Sequence, residues 1–215
     1  DWDGEVMVQS QRMPAYATAM AALEAKGLLY RCICTRADIA AAASAPQGPM
    51  GALYPGTCRQ RVIDADTALP WSWRLDTAAA LAMTGPLAWE DEAKGRIDAN
   101  PALLGDAILA RKDAGTSYHL SVVVDDAAQG VTDVVRGRDL FAATHLHRLL
   151  QALLGLPSPR YHHHRLVVGS DGERLAKRKS APTLAALRAS GVDPAELVEN
   201  MRRARFPVGF ALQEE

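Results

Sequence analysis

Three cysteines, Cys32, Cys34 and Cys58, are all that the 215-residue sequence contains. An odd number of thiols does not make a disulfide framework. Cys32-Ile33-Cys34 alternates along an extended segment, and Cys58 follows a loop, Ala45 to Gly56, that holds three Pro and three Gly. Thiolates at such spacing suit Zn²⁺, which wants four soft or borderline ligands in a tetrahedron. No His precedes His119, so the fourth ligand must come from elsewhere. Tyr54, four residues before Cys58, is the nearest candidate; an Asp or a water would also serve. A phenolate is an unusual ligand, but the ion itself would favour it by lowering its pKa. The competing reading is three unrelated buried thiols, which are ordinary core residues.

Other segments carry charge in suggestive places. Asp171 to Lys179 is a Gly-hinged loop in which Arg174, Lys177, Arg178 and Lys179 fall within six residues, suited to polyphosphate or simply a charged surface loop. Arg136, in Val135-Arg136-Gly137-Arg138-Asp139, closes an apolar run, where its forked guanidinium could bind a carboxylate or phosphate, or form a surface ion pair. Tyr118-His119-Leu120 leads into Val122 to Asp126; read as a strand, it would bring two carboxylates to a sheet edge, either beside a ligand or in a solvated turn. His162, His163 and His164 are adjacent, so on a strand at most two could share a metal.

The elements that must position these groups are read from periodicity. Helices are expected over Gln9 to Lys26, from an N-capping Thr35 to about Ser44, and over Asp139 to Leu154, where Leu146, Leu149, Leu150 and Leu153 form one stripe. Two more helices close the chain at Thr183 to Ala189 and Pro194 to Arg203. Strands are expected at Leu28 to Cys34, Trp71 to Leu75, Ala107 to Lys112, Tyr118 to Val124, Thr132 to Arg136 and Tyr161 to Val168, with Gly169 to Gly172 a tight turn. Strand, helix, strand over Thr132 to Val168 makes the class α/β; a hairpin around Asp125 to Gly130 would make the sheet mixed.

Composition bounds the rest. Hydrophobic residues make up 48% and charged residues 23%, enough to bury a core, so disorder is excluded as a global description. No apolar run approaches a membrane span and no secretory signal is visible, so a cytoplasmic protein is expected. The formal net charge of −1 excludes a uniformly basic coat. Between Arg160 and Arg205, however, ten Lys/Arg face five Asp/Glu, either a phosphate-facing surface or a solvated helical face.

In this order, Tyr54-Pro55-Gly56-Thr57-Cys58-Arg59, Tyr118-His119-Leu120 with Val124-Asp125-Asp126, Val134 to Leu140, and Asp171 to Lys179 resemble the glutamyl-tRNA synthetase group. The resemblance covers nearly the whole chain and is strongest to the short members without an anticodon-binding domain. It implies a class I Rossmann catalytic domain that activates glutamate with ATP and Mg²⁺ and, in the short members, attaches it to queuosine in the anticodon of tRNA(Asp). It implies zinc ligands at Cys32, Cys34, Tyr54 and Cys58, glutamate contacts at Tyr118 and Arg136, and a catalytic, ATP-contacting Lys177 in the KMSKS-type second signature. There, Arg174-Leu175-Ala176-Lys177 departs from the usual K-L-S-K and loses one hydroxyl.

On this resemblance, residues 1–30 belong to the Rossmann domain, 31–61 to a zinc-binding insertion, 62–168 to the remainder of the Rossmann domain and its insertion, and 169–215 to the second signature loop and C-terminal helices. The family's HIGH-type motif and first strand precede anything that Asp1-Trp2-Asp3-Gly4 begins, so these residues alone are expected to be incomplete and inactive. A monomer is expected, with tRNA(Asp), L-glutamate and ATP as partners. Two other readings stay open: a fragment of an ordinary glutamyl-tRNA synthetase, and a non-catalytic zinc- and RNA-binding remnant.

Overall fold

The computed structural model describes residues 4–41, 47–49, 51–64, 66–111, 113–175, 183–207 and 210–213. In chain order the elements are α1 (Met13–Ala25), β1 (Leu29–Cys32), α2 (Arg36–Ala41), β2 (Gln47–Gly48), β3 (Gly51–Ala52), β4 (Ser72–Leu75), α3 (Thr77–Thr84), β5 (Ala88–Asp91), β6 (Gly95–Asp98), β7 (Ile108–Arg111), α4 (Tyr118–Ala128), β8 (Asp133–Gly137), α5 (Phe141–Leu154), β9 (Arg160–His164), β10 (Val167–Gly169), α6 (Leu184–Ala189), α7 (Pro194–Arg202) and β11 (Phe210–Leu212). Local chemistry sets many boundaries. Pro14 sits in the first turn of α1, where its missing N–H costs nothing. Thr35 and Asp38 form a reciprocal capping box, with the Thr35 N–H donating to the Asp38 carboxylate at 2.7 Å and the Asp38 N–H to the Thr35 hydroxyl at 3.2 Å. Gly155, in the left-handed region, ends α5.

The chain divides into two units, residues 1–134 with 140–162, and residues 135–139 with 163–215. The first is built around α5. Its predicted stripe, Leu146, Leu149, Leu150 and Leu153, is buried, and so are His145, His147 and Gln151 on its other faces. Helices α1, α3 and α4 pack on it through Tyr16, Leu23, Ala80, Leu120 and Val123. Each fully buried Leu contributes about 2 kcal/mol, so this helix is the main apolar anchor of the unit. An antiparallel sheet in the order β1-β4-β7 carries Cys32 at one end. A second sheet is mixed: β5 pairs with β6 antiparallel and with β9 parallel. In the second unit, β10 and β11 pair antiparallel, and α6 and α7 bury none of their residues.

Two expected strands are corrected. Tyr118 to Val124 is not a strand but the first two turns of α4. The Val run favours extended backbone on propensity, yet the buried positions pair at helical spacing, Leu120 with Val123 three apart and Ser121 with Asp125 four apart, and packing decides. The hairpin around Asp125 to Gly130 is excluded with it. Tyr161 to Val168 is two strands in different sheets, β9 beside β5 and β10 beside β11.

Candidate functional site

The three thiols meet. Strand β1 ends at Cys32, Cys34 follows before α2, and the turn after Tyr54 returns Cys58 to them. All three Sγ atoms lie within 4.8 Å of one another. The Tyr54 hydroxyl points into the same space: it accepts from the Cys32 thiol at 3.3 Å, lies 3.6 Å from the Cys34 sulfur, and accepts the Cys58 backbone N–H at 2.8 Å. The Cys34 and Cys58 sulfurs are 3.5 Å apart. A tetrahedron with bonds of ~2.3 Å to sulfur and ~2.0 Å to oxygen has edges of about 3.8 and 3.5 Å. The Cys34–Cys58, Cys32–Tyr54 and Cys34–Tyr54 separations are close to those of Zn²⁺ ligands, and the donor set fits the ion. Burial pushes the Cys34 thiol up to about 11 and, with the neighbouring thiols, raises the Tyr54 phenol far above its ordinary range. Burial also acts to raise Cys58, but hydrogen bonds from Tyr54 and the Ile33 backbone outweigh it and bring that thiol below its ordinary value.

The loop bearing these ligands is fastened to the β1-β4-β7 sheet. Arg59, next to Cys58, donates from Nε and Nη2 to the Asp106 carboxylate at 2.9 and 2.6 Å. Asp106, buried just before β7, also accepts from the Tyr30 hydroxyl at 2.5 Å and the Thr77 N–H at 3.1 Å. The Arg74 guanidinium stacks on the Tyr54 ring, 3.8 Å from its centroid. Sequence reasoning missed Arg59, Arg74 and Asp106. Each is a charged residue whose partner is distant in sequence, and Arg74 sits on what alternation reads as the polar face of its strand.

The expected substrate residues fall in separate places. Tyr118, 47% exposed, is the first residue of α4; its ring lies edge-on to His119 and His147, at 5.7 and 5.8 Å. His119 Nδ1 and His147 Nε2 are 3.1 Å apart. Arg136, half-buried near the end of β8, belongs to the second unit, where its Nε donates to His163 Nε2 at 3.2 Å. Lys177 lies outside the described residues. The expected pair of carboxylates at a sheet edge does not form: Asp125 is buried in α4, ion-paired to Arg12 and hydrogen-bonded by Tyr16. The three histidines do not converge either. His162 pairs with Glu92 at 2.6 Å, His163 accepts from Arg136, and His164 faces the Arg165 carbonyl. Among the described residues no helix is long and apolar enough to cross a membrane.

An α/β catalytic domain with a mixed sheet and a thiol cluster at one sheet end agrees with the comparisons. The family described as tRNA synthetases class I (E and Q), catalytic domain, matches residues 1–213. The fold is shared with the glutamate tRNA ligase of Elizabethkingia meningosepticum, at a TM-score of 0.61 and 19% identity over 88% of this chain and 39% of that one. The chain belongs to this family of class I synthetases. Within it, the chain is similar to proteins named glutamyl-Q tRNA(Asp) synthetase: 49% identical to that of Rhodobacter capsulatus over 91% of this chain and 74% of the relative, 46% identical to that of Nocardia farcinica over 92% and 62%, and 43% identical to that of Thiobacillus denitrificans over 85% and 58%. The chain thus spans between 58% and 74% of the length of these relatives.

Proposed function

We propose that the protein activates L-glutamate with ATP and transfers it to queuosine in the anticodon of tRNA(Asp). The observation that carries this reading is the 49% identity, over 91% of the chain, to a relative named glutamyl-Q tRNA(Asp) synthetase. The chemistry needs no side-chain nucleophile. The glutamate carboxylate attacks the α-phosphorus of ATP; one P–O bond forms, another breaks, and pyrophosphate leaves. Catalysis is then positioning and charge stabilisation.

Arg136 binds glutamate through its guanidinium; the hydrogen bond to His163 supports this role by fixing the plane of the fork. Tyr118 donates a hydrogen bond from its hydroxyl to the substrate, and its exposure on α4 supports that role. Lys177 meets the phosphate charge, with Mg²⁺ neutralising the triphosphate. In the second step a queuosine hydroxyl attacks the activated acyl carbon and AMP leaves. The basic residues between Arg160 and Arg205 face tRNA phosphates. Cys32, Cys34, Tyr54 and Cys58 hold one Zn²⁺, a cross-link that fixes the loop. With four protein ligands the ion would serve a structural role.

Glutamate-dependent ATP–pyrophosphate exchange by the full chain as expressed from its own gene tests the first step. Exchange with glutamate and not with glutamine or aspartate is expected. Charging of tRNA(Asp) with and without queuosine tests the second.

A further inference from the structure

Arg74 is a buried cation whose charge meets no ion-paired anion among the described residues. It is 5% exposed and forms no ion pair among the described residues. Its Nη1 donates to the Asp106 main-chain carbonyl at 2.7 Å, and its buried Nε has no hydrogen-bond partner among the described residues. The Asp106 carboxylate is taken up by Tyr30, Arg59 and the Thr77 N–H. A guanidinium stays protonated at any ordinary pH, so burying it calls for a compensating negative charge. What it faces is the Tyr54 ring, at 3.8 Å from guanidinium carbon to centroid, well inside the range of cation–π attraction. Tyr54 in turn directs its oxygen at the Cys32 and Cys34 thiols and accepts the Cys58 main-chain N–H.

We infer that Arg74 is the counter-cation and positioning residue of the Tyr54 metal ligand. This rests on the zinc reading above. A divalent ion held by three thiolates and a phenolate leaves about two net negative charges in a site where Cys32, Tyr54 and Cys58 are all buried. Arg74 supplies the nearby positive charge that such a centre needs. Its planar stack also fixes the ring, so that the phenol oxygen stays over the sulfurs instead of swinging out. The two other arginines near the loop are engaged differently: Arg59 pairs with Asp106, and Arg31 lies over Trp71 and Trp73 and donates to the Ile63 carbonyl. The apparent redundancy of a cation and a phenol side by side is thus one device: the cation makes a weak ligand type dependable. Outer partners of this kind change metal affinity by about 10- to 100-fold when removed.

The test is a double-mutant cycle on the full chain, read as zinc affinity by chelator competition and as the visible spectrum of the Co²⁺-substituted protein. Arg74→Met should weaken zinc about tenfold, and Arg74→Lys, which keeps the charge but not the stack, by less. In Arg74→Met the Co²⁺ d–d bands should shift as they do in Tyr54→Phe, while the thiolate charge-transfer intensity of three cysteines is retained. In the Tyr54→Phe background, Arg74→Met should weaken zinc no further. Wild-type affinity in a folded Arg74→Met protein, or an equal loss in both backgrounds, overturns the inference while leaving the metal centre intact. Absence of stoichiometric zinc from the wild-type protein overturns the metal reading and this inference with it. Should Arg74→Met fail to fold, the cycle is run with Arg74→Lys: a weakening that vanishes in Tyr54→Phe supports the inference, and wild-type affinity or an equal loss in both backgrounds overturns it.

Discussion

The Tyr16 hydroxyl on α1 donates a 2.6 Å hydrogen bond to the Asp125 carboxylate on α4. Arg12 and Gln9 complete the contact, donating to the same carboxylate at 2.9 and 3.1 Å. Burial, and then the Asp125 charge, push the Tyr16 phenol up to about 12. This clamp fixes the helix that begins at Tyr118 against α1. Asp125→Ala strands three donors, so it should destabilise by about 2–4 kcal/mol and lower Tm by roughly 5–15 °C. Asp125→Asn, which can still accept, should lose less. Thermal unfolding followed by circular dichroism reads both; an unchanged Tm in Asp125→Ala would show that the clamp does not hold α4.

One zinc per chain is expected by metal analysis of unchelated protein, and Cys58→Ser should lose it. Cys58 is wholly buried between Cys34 and the Tyr54 hydroxyl, so no solvent ligand can take its place without opening the loop. Chelation of the wild-type protein should lower Tm, since binding to the folded state alone adds stability. Equal zinc content in Cys58→Ser would contradict the ligand set.

Arg136→Ala should raise the glutamate KM by roughly 10- to 100-fold, the loss of one charge-assisted contact, and leave the ATP KM nearly unchanged. Arg136→Lys should recover little, because a point charge does not reproduce the planar fork. Steady-state pyrophosphate exchange separates the two constants. Equal changes in both KM values would mean that Arg136 acts on the fold rather than on glutamate.

His145 gives the fold a pH dependence. Its Nδ1 accepts from the Trp89 indole N–H at 3.3 Å and the Asn100 N–H at 3.1 Å. Burial lowers its pKa below the ordinary 6.5. The unfolded chain therefore takes up this proton first as pH falls, and stability present above about 6.5 is lost progressively below it. His145→Gln keeps an acceptor but cannot be protonated. Its Tm should fall less than that of the wild type between pH 7.5 and pH 5.5, about the window of an ordinary histidine. Parallel curves for the two proteins would rule out His145 as the source.

The thiol cluster and the α5 stripe were legible because they depend on residue type at short spacing. Leu146, Leu149, Leu150 and Leu153 mark a buried face wherever the helix lies, and all four are buried. The burial of His147 and Gln151 on the same helix was not legible, since it depends on His119 and on Tyr161, each supplied by another element. The β-branched run in α4 misled for the opposite reason: propensity favours a strand, but Asp125 finds Arg12 and Tyr16 only if the segment is helical. Arg59, Arg74 and Asp106 gave no signal in the sequence, because the contacts that the sheet and the thiol loop give them come from residues far along the chain. The motifs at Tyr118 and Arg136 were recognisable in sequence by their neighbours, whereas the rings and hydrogen bonds that orient them come from His147 and His163.

Transfer of glutamate to queuosine is read most plainly from where the label sits on tRNA(Asp). The full chain, ATP and radiolabelled glutamate are incubated with tRNA(Asp) prepared with and without queuosine, and the product is cut with nuclease to separate the anticodon from the 3′ end. Label confined to the anticodon fragment of the queuosine-containing tRNA is predicted. Label at the 3′ end, or equal labelling of tRNA lacking queuosine, would contradict the account.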